Sequence, residues 1–179
     1  VQVSLSQDVN AVKTNIQALA TAYNEVVKFI SERTTYDATA KQGGVFFNES
    51  SARTVLSQLR TALSSSVSGA TVYSGVGQIG FKTGRDGTIT VDDGQLTTAL
   101  STNYNGVKAL FSNQGSVTGL AQSIVSAVDA LNDVSGGVLT LRKNGLTSEI
   151  SRIGDDIARQ EDSVSRYEER LRRQFAALD

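Results

Sequence analysis

The residue types that most often perform catalysis or bind metals are missing from this chain. Its 179 residues include no His and no Cys. Without imidazole there is no Ser-His-Asp triad and no His metal ligand, and without thiols there is no disulfide or thiolate zinc site. Any chemistry would have to come from carboxylates, from Lys, or from a loop that binds phosphate through its backbone.

One segment matches a phosphate-binding motif letter for letter. Residues 75–80 read Gly-Val-Gly-Gln-Ile-Gly, which fits G-x-G-x-x-G. A dinucleotide site needs these glycines between a strand and a helix, because the pyrophosphate binds at the helix N-terminus. A hairpin pattern follows here instead of a helix. We therefore interpret the segment as a flexible entry to the hairpin and predict no nucleotide site.

The carboxylates do not converge in a catalytic or metal-binding pattern. Asp86, Asp92 and Asp93 lie close in sequence but lack the acid spacing and terminal Glu of a calcium loop. Turns and helix caps account for all three. The adjacent pairs at 155–156 and 168–169 diverge by about 100° around a helix, so neither pair can share a proton. The sequence predicts no catalytic, cofactor-binding or metal-binding residue.

The elements that would position any functional surface begin with a long helix at the C-terminal end, over about residues 138–178. Its apolar positions follow a 4-3 spacing with two Gln interruptions, which is typical of a coiled-coil seam. Acids four residues before an Arg also favour the helix, and they predict ion pairs of Asp155 with Arg159 and of Asp162 with Arg166. Residues 144–145 (Asn-Gly) could kink it or start it, and residues 138–141 could be a strand. The seam positions are Leu146, Ile150, Ile153, Ile157, Gln160, Val164, Tyr167, Leu171, Gln174 and Leu178.

A second heptad lies near the other end, with Ser6 or Asp8 as its expected N-cap. Two matching seams predict an intramolecular antiparallel pair of helices, with a further helix supplied from elsewhere. The alternative is that each stripe is the core face of an ordinary bundle helix. The seam positions of this helix are Val9, Val12, Ile16, Leu19, Tyr23, Val26 and Ile30.

A polar linker is expected over residues 35–49, and shorter helices and one hairpin fill the rest of the interval between the two long helices. Helices are expected over about residues 52–67, after the hairpin, and from about Ser116. Residues 78–91 alternate apolar and polar side chains around a Gly-rich turn, which predicts the hairpin. The expected fold is mainly α: a helical bundle with long antiparallel coiled-coil-like N- and C-terminal helices plus a small β-hairpin. The expected caps of the first two helices are Asn48 or Ser50, and Asp92 or Asp93.

The composition excludes several classes of function. The net charge is -1, and Lys and Arg are not massed in one region, so we predict no nucleic-acid binding. No run of 18 apolar residues is present, so we predict no membrane insertion. The chain starts Val-Gln-Val-Ser-Leu without Met, which we interpret as a cut through a larger protein.

Four segments in this order resemble the C-terminal half of the bacterial flagellar filament-cap protein family, also called hook-associated protein type 2. They are residues 16–30 with Ala-Tyr-Asn at their centre, the hairpin at 77–92, the run Asn-Gly-Val-Lys-Ala-Leu-Phe at 105–111, and residues 141–178. Together they cover most of the chain. The resemblance implies that residues 1–179 are a single helical leg domain of a larger protein.

The function that the resemblance implies is structural and not enzymatic, and it needs no cofactor. Cap subunits form a ring at the distal tip of the filament and help incoming flagellin to fold into the growing lattice. The implied partners are further cap subunits, flagellin, the hook-associated junction protein and an export chaperone. The implied location is extracellular, after export by the flagellar secretion system.

The resemblance also assigns roles to particular side chains. Charged faces around Arg159, Arg166 and Arg170 would meet neighbouring cap subunits or flagellin, through several weak ion pairs together. Leu171→Asp is expected to collapse the packing of the leg. The seam residues expected to pack within the leg are Ile150, Ile153, Ile157, Val164, Tyr167, Leu171 and Phe175.

Three other functions remain open from the sequence. Flagellin or a hook–filament junction protein would share terminal coiled-coil legs. A surface adhesin would sit at the same exposed tip, although no Trp and only five Tyr are available for a sugar site. An enzyme that uses carboxylates lacks a convergent acid pair.

Overall fold

The computed structural model describes residues 7–69, 72–115 and 117–177. These residues form five α-helices and two two-stranded antiparallel sheets, which confirms a mainly α fold with a small β-hairpin. In chain order the elements are α1 (Val9–Thr34), β1 (Tyr36–Asp37), β2 (Gln42–Gly43), α2 (Ser50–Ser64), a 3-10 turn (Val76–Ile79), β3 (Phe81–Thr83), β4 (Ile89–Val91), α3 (Asp93–Phe111), α4 (Leu120–Asn132) and α5 (Val138–Ala176).

The chain divides after Asn132 into two compact units. The first unit carries α1 to α4 with both sheets, and the second carries α5. The pairing of the N- and C-terminal helices, and their union in one leg domain, stay predictions.

Helix α1 contributes one face to the core of the first unit. Asp8 caps it by accepting a hydrogen bond from the Ala11 N–H at 2.9 Å, which confirms one of the two expected caps; Ser6 lies outside the described residues. Ala20 and Val27 are buried, whereas the expected positions Leu19 and Val26 are only half-buried. The buried face is therefore turned slightly from the predicted heptad. Its members are Ile16, Ala20, Tyr23, Val27 and Ile30.

The caps of the shorter helices differ in part from those expected. Glu49 caps α2, accepting from the Ser51 N–H, so the assignment to Asn48 or Ser50 was wrong. Asn48 has a φ of 60°, in the left-handed region, whereas an N-cap needs extended backbone. Asp92 caps α3 as expected, through the Gln95 N–H at 3.0 Å. Helix α4 begins at Leu120, and Ser116 lies outside the described residues.

The hairpin of β3 and β4 is anchored to α1 by two neighbouring side chains. The Asn24 amide donates to the Ile89 carbonyl at 2.7 Å and accepts from the Ile89 N–H at 2.8 Å. The amide thus replaces a neighbouring strand at the edge of β4. The Tyr23 hydroxyl donates to the Gly87 carbonyl in the turn at 3.2 Å. This arrangement explains why a polar Asn follows a buried Tyr in α1.

The glycine-rich segment before the hairpin is ordered, which corrects its interpretation as a flexible entry. Val76–Ile79 form a 3-10 turn, and Ile79 is fully buried. The Gln78 side chain accepts from the Ser74 and Gly75 N–H groups. Gly80 ends the turn with a φ of 100°, a conformation that favours glycine. Strand β3 follows, so the geometry of a dinucleotide site is absent from this segment.

Candidate functional site: the exposed seam of α5

Helix α5 is one uninterrupted helix of 39 residues, with Gly137 as its N-cap. Its N-terminal residues 138–141 are helical, so the strand alternative was wrong. Residues 144–145 lie inside the helix. The helix therefore does not start at these residues, and its secondary structure continues through them. At about 1.5 Å per residue the helix is roughly 58 Å long.

The apolar seam of α5 is exposed to solvent. Among the described residues of this helix none is buried. The apolar side chains at the predicted seam positions from Ile150 to Phe175 are 50–70% exposed, except that Leu171 is half-buried. Leu178 lies outside the described residues. A soluble helix normally hides such a stripe, so this face needs a partner surface. The exposed apolar members are Ile150, Ile153, Ile157, Val164, Tyr167 and Phe175.

Charged side chains flank this seam and interact within the helix. Arg166 pairs with Asp162 at 2.8 Å, as the sequence predicted. Arg159 pairs with Asp156, one turn away, and not with Asp155 as expected. Arg170 lies over the Tyr167 ring, 5.2 Å from its centroid. All three arginines are exposed, so the ion pairs of Arg159 and Arg166 add little to stability. The three guanidinium groups remain accessible to a second surface.

The predicted seam of α1 lies in a different environment from that of α5. Ile16, Tyr23 and Ile30 are buried. Val9, Val12 and Leu19 are half-buried and pack against the core of the first unit. This placement shows a core face within the first unit; a role of the same residues in a coiled coil stays a prediction.

The acidic cluster around the hairpin serves local structure. Asp86 accepts from the Thr88 hydroxyl at 2.7 Å and from its N–H, and these bonds lower the pKa of its carboxyl. The hydrogen bond from the Gln95 N–H is the main cause that lowers the pKa of the Asp92 carboxyl, and the hydrogen bond from Lys82 is the second. Asp93 accepts from Lys13 at 2.7 Å and so joins α3 to α1. Among the described residues, no group of three or more His, Cys, Asp or Glu side chains is placed to hold a metal ion.

Within the described ranges, no helix is both long and apolar enough to cross a bilayer.

Sequence reasoning missed one other surface. Residues 35–49, interpreted as a polar linker, form the β1–β2 hairpin and hold a group of aromatic rings. The signal was present in the pair Phe46 and Phe47, which is unusual in a linker of a chain with 6% aromatic residues.

Comparison with known proteins identifies the family. The sequence model of the family described as "Flagellar hook-associated protein 2 C-terminus" matches residues 1–179. The A-type flagellar hook-associated protein 2 of Pseudomonas aeruginosa is 30% identical over 183 residues, covering 100% of this chain and 37% of the relative. The flagellar hook-associated protein 2 of Escherichia coli O157:H7 is 28% identical, covering 97% of this chain and 39% of the relative. The chain therefore spans under two fifths of these relatives.

A solved structure agrees with this assignment. The crystal structure of the flagellar cap protein FliD D1-D2-D3 domains from Escherichia coli is similar, with a TM-score of 0.67 and 30% sequence identity. The match covers 78% of this chain and 37% of that one. Because the family's sequence model matches the whole chain, this chain belongs to the flagellar hook-associated protein 2 C-terminus family.

Proposed function

We propose that this chain is the helical leg of a flagellar filament-cap subunit, which oligomerises at the distal tip and promotes the folding and insertion of flagellin. The match over residues 1–179 to the hook-associated protein 2 family supports the proposal, as does the likeness to a structure named as a flagellar cap protein. These relatives are named flagellar hook-associated protein 2 and the similar structure is named a flagellar cap protein, which does not favour the filament-forming alternative.

The observation that carries the proposal is the exposed seam of α5. A helix of 39 residues whose apolar stripe stays in solvent has a large surface that other helices can cover. In the complete leg a further helix would cover this stripe, and burial of its apolar side chains would stabilise the leg.

The proposed partners divide between the two kinds of surface on α5. The seam, including Leu171, would pack within the leg. The arginines Arg159, Arg166 and Arg170 would contact neighbouring cap subunits or flagellin. Further proposed partners are the hook-associated junction protein and an export chaperone. The proposed location is extracellular, at the flagellum tip, and the proposed role includes no enzymatic step.

The experiment uses the full-length parent protein in cells that lack its gene. Leu171→Asp places a charge in the seam, whereas Ser165→Asp adds the same charge one helical step away from it. We expect the wild-type protein and the Ser165 variant to restore swimming. We expect the Leu171 variant to leave cells poorly motile, with unassembled flagellin in the medium.

Three results would each contradict part of the proposal. Filaments of normal length and no released flagellin in cells without the gene would contradict the role in assembly. Alternatively, light scattering of the purified parent over a concentration series could show open-ended growth instead of a discrete oligomer, which would point to a filament-forming component. Full helicity and unchanged thermal stability of the Leu171 variant would show that the seam assignment is wrong.

A further inference from the structure

A patch of exposed aromatic rings lies where α1 ends and the β1–β2 hairpin follows. Phe29, Tyr36 and Phe47 are 45–49% exposed, and Val45 beside them is 82% exposed. In the described part of the first unit no other aromatic side chain is this exposed. We call this surface the aromatic patch. Exposed aromatic side chains in a group mark surfaces that bind other proteins.

The aromatic patch also carries a positive charge. The Arg33 guanidinium lies 3.7 Å from the centroid of the Phe29 ring and donates to the Phe29 carbonyl at 3.0 Å. Phe29 in turn packs on Phe46 at a centroid distance of 6.2 Å, and Tyr36 packs on Phe47 at 5.6 Å. Arg33 also lies 3.8 Å from the Glu32 carboxylate, which pairs with Lys28 as well, so two cations stand against one anion beside these rings.

The backbone that displays the patch is held in a costly conformation. Gly44 donates to the Thr35 carbonyl at 3.0 Å, and a side chain at Gly44 would lie 2.2 Å from the Arg33 carbonyl oxygen. Lys41 has a φ of 51°, in the left-handed region, which is unfavourable for a Lys side chain. A loop that holds exposed aromatic side chains on such a restricted backbone is preorganised to bind another surface.

A surface of complementary chemistry lies on α4. Ala121, Val125, Val128 and Asp129 all project within an arc of about 100° at 100° per residue, and all four are exposed. Asp129 is the only charged residue among the 13 residues of this helix. We call this surface the α4 stripe. It is apolar with one anion, whereas the aromatic patch is apolar with an excess of positive charge around Arg33.

We infer that the aromatic patch of one copy of this protein binds the α4 stripe of a second copy, with Arg33 facing Asp129. The inference rests on the proposed function, because it assigns a contact within the cap oligomer. The two surfaces differ, so the contact is heterologous: a copy that uses its patch still has a free stripe for the next copy. Such a contact repeats around an assembly and closes into a ring when the rotation between copies permits.

Assembly of the full-length protein tests the inference, measured by light scattering after size-exclusion chromatography over a concentration series. Val45→Asp places a charge in the aromatic patch without removing a packed side chain. Val134→Asp is the matched control, because Val134 is 85% exposed and lies outside both surfaces. We expect Val45→Asp to raise the concentration for half-assembly roughly tenfold or more, and Val134→Asp to leave it unchanged.

Charge reversal then identifies the partner surface. Arg33→Glu leaves two anions facing each other, and Asp129→Arg leaves two cations, so each single variant should weaken assembly by roughly tenfold. The double variant carries both reversals in one chain, which restores opposite charges at every contact. We expect its half-assembly concentration to return to within about threefold of wild type. Mere damage to the loop by Arg33→Glu would not be repaired by a change on α4.

The remaining outcomes overturn either the inference or the proposed oligomer. If the parent assembles and neither Val45→Asp nor Arg33→Glu changes its assembly, the inference is wrong while the proposed function stands. If both single reversals weaken assembly and the double variant stays weak, the α4 stripe is not the partner of the patch and the inference is again wrong. If the wild-type parent stays monomeric at every concentration, the proposed oligomer itself is refuted.

Discussion

The two units of this chain bury their apolar side chains very differently. In the first unit, Leu96, Leu100, Leu110 and Leu120 are 0–1% exposed in a continuous core. In the second, the described residues of α5 include no buried side chain, although its apolar residues follow a regular heptad. Both sequences are amphipathic, so amphipathicity alone does not distinguish a core face from an assembly face.

The contrast separates stability from assembly. The first unit contains the contacts that stabilise a fold, whereas α5 exposes the surface that a partner must cover. Because an isolated helix gains most of its stability from packing of its apolar face, α5 depends on such a partner more than α1 does. Substitutions in the two units should therefore affect different measurements.

Truncating a leucine should give the largest contrast between the units. Leu110→Ala removes a side chain with no exposed surface, so it should lower the free energy of unfolding by about 2–5 kcal/mol. Leu146→Ala is the matched change on α5, where the side chain is 41% exposed, and should cost about 0.5 kcal/mol or less. Urea denaturation followed by tyrosine fluorescence measures both. Equal losses would show that α5 is packed as tightly as the core.

The anchor between α1 and the hairpin should give the next largest effect. Asn24→Ala leaves the Ile89 N–H and carbonyl without their partner, which should cost about 1–3 kcal/mol. Tyr23→Phe keeps the buried ring and removes only the bond to the Gly87 carbonyl, so it should cost about 0.5–1.5 kcal/mol. Amide hydrogen exchange at Ile89 should rise in the first variant and stay slow in the second. An unchanged exchange rate at Ile89 in Asn24→Ala would exclude the role of the amide as a strand substitute.

The sequence predicted those helices, strands and caps that periodicity or capping chemistry determines. The 4-3 spacing predicted α1 and α5, and alternation around a Gly-rich turn predicted β3 and β4. Asp8 and Asp92 were predictable as caps, because Asp just before a helical pattern is one of the residue types that most often cap a helix N-terminus.

Other features depend on long-range contacts that periodicity does not reveal. The buried face of α1 includes Ala20 and Val27, because the hairpin and α3 approach from that side. The hydrogen bonds of Asn24 join residues 65 positions apart, and no local pattern predicts them. The order of residues 35–49 depends on the backbone contact of Gly44 with Arg33, which a polar composition conceals.

Of the candidate site, the sequence predicted the seam positions of α5 but not their exposure. A heptad states that a face is apolar and does not state what covers it. The pairing of Arg159 with Asp156 in place of Asp155 likewise depends on rotamers, which sequence spacing leaves open.

Glycine replacement should change stability in opposite directions in the two units. Gly80→Ala places a side chain on a backbone with a φ of 100° and 2.9 Å from the Asp92 carbonyl oxygen, so the first unit should lose about 1 kcal/mol or more. Gly154→Ala meets nothing within 4 Å and removes a flexible residue from a helix interior, so α5 should gain about 0.5–1 kcal/mol. Circular dichroism at 222 nm and amide exchange along α5 measure the gain. A loss of helicity in Gly154→Ala would reveal a partner packed against that glycine.

The smallest expected effect is the acid sensitivity of the first unit. Hydrogen bonds from the Gln95 N–H, and then from Lys82, lower the pKa of Asp92 below its ordinary value. A lowered pKa favours the ionised form in the folded state, so the stabilisation is present above the pKa of the unfolded chain. It is lost below about pH 4, as the pH falls through the lower pKa of the folded protein.

Replacing the two side chains separately distinguishes the causes of this shift. Asp92→Asn keeps an oxygen that accepts from the Gln95 N–H and removes the charge, so the melting temperature of the variant should differ from wild type at pH 7 and converge with it below about pH 4. Lys82→Met removes only the second cause, at a salt bridge of 2.9 Å, and should produce a smaller difference over the same range. Thermal melts from pH 2 to pH 7 measure both. A difference for Asp92→Asn that stays constant down to pH 2 would show that its carboxylate charge does not stabilise the start of α3.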